Sequence, residues 1–432
     1  MTETPEHSEH KLLMVAYWYP PALGAAAERA WAFARCLPRH DWPCIVLTAR
    51  RSNPPPAAPG VTVHHVPACL SGEDVPFRDY NPGQQPSRFR ACVRELLFPD
   101  RFVFWQRSAL KPGLELIRRQ GIDLILASFP PASTVVLALH LSRDAGLPMV
   151  LDFRDRWLGP GGYEPVFSRT RRKHAELERT AIAQSAAIVA ISDAMADAIA
   201  HEHGYDQRRI MVIPNGYEPA VDDLGLSPAP SPWALALQPP GPAPSPRPLT
   251  IAHVGTVIPR NRPDLFFRSI LKLLSGKRLG EVVFKFVGNL SHDYLTAAGL
   301  TQVVQTTGLV PRMQALREMR AADALFLLTG RYVGTWGYNA KLFEYLRAGR
   351  PILCLEESPG SNDRKLLEQL AAERSFFAPL DEPEAIARAV DAVRLYLAAP
   401  PPPTAPIDAF SAYSRPNLVA RLAAFLNTIK LR

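Results

Sequence analysis

In "NAKLFEYLRAGRPILCL", from Asn339 to Leu355, Lys341 and Glu344 stand three apart on one helix face, while Leu342, Phe343, Tyr345 and Leu346 cover the rest. So narrow a polar face suits a carboxylate that meets ribose hydroxyls, with Lys341, Ala340 and the helix N-terminus near phosphate. The alternative is a solvated stripe with an intrahelical ion pair. Asn339 is the predicted N-cap, Gly349 the predicted stop and Pro351 the start of a strand. In "HVGTVIPRNRPDLFF", Gly255 and Thr256 close a strand, Arg260 and Arg262 occupy the following loop, and Pro263 suits a first helical position. Two arginines at a helix entrance can grip a diphosphate by paired hydrogen bonds, or simply sit on a basic surface.

Three further strand ends carry polar groups. "LDFRDRW" places Asp152, Arg154, Asp155 and Arg156 together, and these must pair with one another or face a polar ligand, since dry unpaired charges are costly. "VIPNGYE" puts Asn215 and Gly216 at a turn before a change in composition. "YPPALGAAAER" has Gly24 ahead of a helix, where backbone N–H groups can face an anion or a sugar hydroxyl. A single glycine is not the G-x-G-x-x-G fingerprint, so a dinucleotide cofactor is not expected.

The elements that must hold these groups alternate. "KLLMVAYW", "CIVLT", "DLILASF", "PMVLDF", "AAIVAIS" and "IMVIPNG" read as strands separated by helical patterns, which implies a doubly wound parallel sheet. The alternation stops in a proline-rich stretch at 217–248 and restarts with "LTIAHVG", "EVVFKFVG", "VVQTTG", "ADALFLL" and "RPILCL". The expected organisation is an α/β domain over 1–216, a linker over 217–248, a second α/β domain over 249–397, and a segment over 398–432 whose helix packs back on the first domain. In such sheets ligands bind outside the carboxyl ends of the strands, where all five places lie.

A chain of 432 residues exceeds what one core usually serves. No run approaches the roughly 18 apolar residues of a membrane span, and "MTETPEHSEHK" lacks the order of a secretory signal, so a cytoplasmic protein is expected. Cys36, Cys44, Cys69, Cys92 and Cys354 are scattered and odd in number, which suits reduced core thiols better than disulfides or zinc. The formal charge of +8 favours anionic partners, yet no nucleic-acid-binding signature accompanies it. In "SRFRACVRELLFPDRFVFWQRSALK", Arg88, Arg90, Arg94, Arg101 and Arg107 mingle with aromatic residues. That mixture fits either docking on anionic lipid at the inner face of a membrane or a helix that buries its aromatics.

Taken in order, "YPP..G", "SFPPAS", "PMVLDFRDRW", "AIVAISDAM", "VIPNGY", "HVGT" and "NAKLFEYLRAGRPIL" resemble the family-4 retaining glycosyltransferases, over nearly the whole chain. The resemblance implies the GT-B fold, two Rossmann-like domains facing across a cleft, with a UDP- or GDP-sugar donor held by the second and a saccharide or lipid-linked acceptor by the first. It implies that Glu344 takes the ribose hydroxyls, that Arg260 or Arg262 with Lys341 holds phosphate, and that Asn215 and Gly216 form the hinge turn. No metal or other cofactor is expected, and there is no D-x-D pair. Two departures stand out. Trp336 occupies the first position of the family's E-x7-E pair, and Arg154, flanked by Asp152 and Asp155, replaces a strand-end histidine. "DFRD" and "KLFEY" are similar to a branch acting in bacterial surface-polysaccharide assembly. The Trp336 departure motivates a second reading, a catalytically silent nucleotide-binding or assembly protein; a third is a sugar-nucleotide epimerase.

Overall fold

The structure is a computed structural model, and it describes residues 10–22, 24–53, 55–68, 95–219, 247–290, 294, 300–399 and 410–431. The described residues divide into two units, one made of 10–68, 95–215 and 415–431, the other of 216–219, 247–399 and 410–414.

The first unit runs β1 (Leu12–Val15), α1 (Ala25–Cys36), β2 (Cys44–Ala49), β3 (Val61–Val66), α2 (Val103–Gln120), β4 (Leu124–Phe129), α3 (Ala132–Ala145), β5 (Met149–Phe153), α4 (Ser168–Gln184), β6 (Ala187–Ala190), α5 (Asp193–His203) and β7 (Ile210–Val212). Its parallel sheet has the order β3-β2-β1-β4-β5-β6-β7. The uncharged runs LLMV and LILASF are buried throughout because helices cover both faces of the sheet. The chain lays down β1 to β3 on one side and returns beside β1 with β4, so the crevice between the carboxyl ends of β1 and β4 is a topological switch point. The last helix, α12 (Arg415–Leu426), completes this unit: Leu418, Leu422 and Leu426 join Leu12, Phe33 and Trp42 in one apolar core, and the Trp42 indole donates to Asn427 Oδ1 at 2.8 Å.

The second unit runs β8 (Leu249–Val254), α6 (Pro263–Ser275), β9 (Val282–Val287), β10 (Val304–Gly308), α7 (Arg312–Ala321), β11 (Ala324–Thr329), α8 (Val333–Trp336), α9 (Leu342–Ala348), β12 (Ile352–Glu356), α10 (Asn362–Ala371), β13 (Ser375–Pro379) and α11 (Pro383–Ala398). Its parallel sheet has the order β10-β9-β8-β11-β12-β13, with the switch point between β8 and β11. Alternate residues of β11 face opposite layers: Phe326 and Leu328 pack with α6 and α11, and Leu325 and Leu327 with α9 and α10.

Both sheets are doubly wound, as the alternation predicts. The strands absent from the sequence reading are β3 ("VTVHHV") and β13 ("SFFAP"), both at sheet edges and mostly half-exposed, where the apolar signal is diluted. Of the expected linker over 217–248, residues 220–246 lie outside the described residues, as do 400–409 of the expected segment over 398–432. Cys36, Cys44 and Cys354 are buried free thiols; Cys69 and Cys92 lie outside the described residues, as do Arg88, Arg90 and Arg94. Around α2 the aromatic side chains Phe102 and Trp105 turn into the first unit's interior, as the buried-aromatic alternative predicts. Among the described residues no helix is long and apolar enough to cross a membrane.

Candidate functional site

At the β8–β11 switch point, Gly255 and Thr256 follow β8 and Thr329 ends β11. Lys341 Nζ donates to the Thr256 carbonyl at 3.1 Å. Its stem lies over Gly255, where a Cβ would stand 2.2 Å from Lys341 Cε and where φ is +127°. The Tyr345 hydroxyl accepts from Val254 N–H at 2.6 Å, which pins α9 to the carboxyl end of β8. Glu344 is then one of the few polar groups on this short helix, and its Oε1 accepts from Arg312 Nη2 at 3.0 Å. The intrahelical pair of the alternative reading gives way to these two separate partnerships.

Helix α9 begins at Leu342 rather than after an Asn339 cap. Asn339 sits in a turn ahead of it: its Oδ1 accepts from Lys341 N–H at 3.4 Å and its own N–H donates to Asp363 Oδ1 at 2.8 Å. Asp363, buried in the first turn of α10, also accepts from Thr329 Oγ1 at 3.0 Å. One carboxylate thus ties the end of β11 to the turn that delivers Lys341, while Ala340 in the same turn is exposed. Burial pushes the Lys341 ammonium down to about 8, and the Asp363 carboxylate opposes that fall. Burial likewise pushes Asp363 up to about 6, against its hydrogen bonds from Asn339 and Thr329. His253, fully buried, is held far below its ordinary value by desolvation and by Lys341; Nδ1 lies 3.1 Å from the Phe326 carbonyl, so the neutral ring carries its hydrogen there.

The two loop arginines separate. Arg262, at φ +53°, places its fork on Asp264 at 3.0 and 2.9 Å and reaches Glu357 Oε1 at 2.5 Å. Arg260 is exposed on the same turn. Buried Asn261 holds that turn to β11 by donating to the Leu328 carbonyl at 2.9 Å.

In the first unit the hydrogen bonds of "LDFRDRW" reach other segments, while Arg154 also feels the charges of Asp155 and Asp152 within the stretch. Asp152 receives the buried Arg29 guanidinium at 2.8 Å and Ser128 Oγ at 3.0 Å. Arg29 also donates to the Pro214 carbonyl at 3.0 Å, so α1 is fastened to β5 and to the end of the sheet. Arg154 Nε donates to Ser128 Oγ at 3.0 Å and its Nη2 to the Pro130 carbonyl; burial lowers its pKa. Arg156 pairs with Glu202 at 2.7 Å, and Asp155 is exposed. Gly24, at φ +110°, precedes α1 beside the β1–β4 switch point. The Asn215 carbonyl accepts from Arg415 Nε at 3.4 Å.

Gly255, Thr256, Asn339 and Lys341 are thus brought together in the second unit, with Glu344 on the following helix paired to Arg312; in the first, Arg154 and Asp155 follow β5 and Gly24 caps α1. Sequence reasoning missed Arg29 and Asp363. Each is a charged residue in a helix's first turns after a strand, a signal visible in "AAAERAW" and "SNDRK" but common on helix surfaces.

Residues 24–216 match the family described as "Glycosyl transferase 4-like domain". No curated protein matches the sequence. Sucrose-phosphate synthase from Thermosynechococcus elongatus superposes with a TM-score of 0.60 at 13% identity, covering 96% of this chain and 94% of that one. WaaG, a glycosyltransferase involved in lipopolysaccharide biosynthesis, gives 0.57 at 15%, covering 96% and 100%. Trehalose-6-phosphate from E. coli bound with UDP-2-fluoro glucose gives 0.57 at 12%, covering 98% and 100%. At such identities the likeness speaks for the fold: the chain has the GT-B fold of two parallel-sheet α/β units, and its residues 24–216 are similar to the glycosyl transferase 4-like domain.

Proposed function

We propose that the protein is a glycosyltransferase that moves a sugar from a nucleotide-sugar donor, UDP- or GDP-linked, to a saccharide or lipid-linked acceptor with retention, in polysaccharide or glycolipid synthesis. The observation that carries this reading is Lys341 anchored on the Thr256 carbonyl at the β8–β11 switch point, with Glu344 three residues on. The matched family and the structural neighbour bound with UDP-2-fluoro glucose support it. Glu344 takes the ribose hydroxyls. Lys341 spends one of its three N–H donors on Thr256 and offers the other two to the diphosphate. As the bond from sugar to donor phosphate breaks through an oxocarbenium-like state, negative charge grows on the departing diphosphate, and this fixed cation stabilises it. Arg260 joins Lys341 there, whereas Arg262 acts as a brace, its charge being matched by Asp264 and Glu357. The acceptor belongs to the first unit, with Arg154 and Asp155 at the end of β5. Cationic side chains rather than a metal ion answer the leaving group, so chelation by EDTA is expected to leave turnover unchanged.

A panel of nucleotide sugars, with and without saccharide and lipid-linked acceptors, is expected to show release of UDP or GDP with at least one donor. Nucleotide binding without release from any donor would instead favour the silent binding protein that Trp336 motivates. Gly255→Ala is a subtler probe. Its Cβ would collide with the Lys341 stem and displace the ammonium, so affinity for the nucleoside diphosphate is expected to fall roughly tenfold, the loss of about one charge-assisted hydrogen bond. Calorimetric titration measures it; unchanged affinity would place Lys341 outside the nucleotide site.

A further inference from the structure

An exposed corner of the first unit breaks two local rules at once. Leu96, Val166 and Phe167 are 80%, 51% and 47% exposed, and they are held as one platform because the Glu95 carboxylate accepts the backbone N–H groups of Val166 and Phe167, the latter at 3.1 Å. Directly after them α4 opens with "SRTRRK", in which Arg169, Arg171, Arg172 and Lys173 are all exposed and no acidic residue stands in the first turn. Lys173 lies over the Phe98 ring at 5.5 Å; Arg169, Arg171 and Arg172 have no ion-pair partner among the described residues.

Neither feature helps the chain fold. A helix N-terminus carries the positive end of the backbone dipole, so cations gathered there are repelled rather than held. Aliphatic side chains left in water forgo the gain of burial. Conflicts of this kind are expected where a surface serves something outside the chain. Apolar tips next to a cluster of cations match the boundary of an anionic bilayer, where the tips enter the acyl edge and the cations meet phosphate headgroups.

We infer that Leu96, Val166 and Phe167, together with the basic start of α4, form a surface that docks the protein on an anionic phospholipid bilayer. The inference goes beyond the transferase reading and is tested without any donor. The full chain is sedimented with vesicles of phosphatidylcholine alone and of phosphatidylcholine with phosphatidylglycerol, at low and high salt. The parent is expected to sediment with the anionic vesicles only and to be released by salt. Each cation near such a surface is worth about fivefold in partition, so Arg171→Ala/Arg172→Ala is expected to lower binding roughly 25-fold. Val166→Ser/Phe167→Ser is expected to lower it about tenfold or more. Both pairs are exposed, and unchanged circular dichroism and melting confirm that the variants fold. Equal binding to both vesicle types, or variants that partition like the parent, overturns the inference. So does a parent that ignores vesicles and retards single-stranded RNA, which would assign the same cations to nucleic acid.

Discussion

Lys341→Met is expected to lower turnover by about 10²–10³-fold without lowering the melting temperature at neutral pH. The rate loss follows from removing a preorganised cation from the departing diphosphate, a change of the size seen when one fixed electrostatic donor is lost. The stability claim follows from burial. An ordinary lysine ammonium titrates at 10.5 and this one at about 8, because the site strips water from it faster than Asp363 compensates. The folded chain therefore bears the full cost of holding the charge below pH 8. That cost is relieved as pH climbs from 8 toward 10.5, where the unfolded chain still binds the proton and the folded one does not. The parent is thus expected to gain stability across that window, and the methionine variant, with no group to deprotonate, is expected to lack that gain. Affinity for the nucleoside diphosphate has the opposite slope: it is present below pH 8 and lost as pH rises through it. Melting curves and titrations at a series of pH values check both slopes. A variant that melts much lower while keeping turnover would make Lys341 a structural residue.

Glu344→Ala is expected to weaken nucleotide binding by about 10²–10⁴-fold while changing stability by less than about 1 kcal/mol. Two charge-assisted hydrogen bonds from a ribose diol to one carboxylate account for the affinity, at about 1.5–3 kcal/mol each. The small stability change follows from the partner observed in the protein: Glu344 is 15% exposed but Arg312 is 48% exposed, and solvent at the guanidinium keeps the pair near the about 0–1 kcal/mol of surface pairs. Arg312→Ala separates the roles, because it breaks the same ion pair and leaves the carboxylate. It is expected to bind UDP or GDP nearly as the parent does. If both substitutions weaken binding alike, the ion pair rather than the ribose contact is what matters at this position.

How much of this was legible beforehand depends on where each element's partners lie. The runs of β1, β4 and β11 announce buried parallel strands because none carries a charge, all but Ser128 and Thr329 are apolar, and both faces are covered. The edge strand β3, with His64 and His65 half-exposed, carries no such mark. The Lys341–Glu344 stripe was readable from its spacing, yet the start of α9 was not. Asn339 looks like a cap, but its N–H is claimed by Asp363, which stands 24 residues further on.

The sequence by itself determined the alternation of strands and helices, hence two doubly wound sheets, and it placed the chemically able residues at strand ends, because the periods of apolar residues are local properties. Only the tertiary structure decided which charge meets which. Arg29 reaches Asp152 across 123 residues, and Lys341 reaches Thr256 across 85. A buried charge takes whichever partner the packed elements bring within about 3 Å, and chain separation sets no limit on that choice.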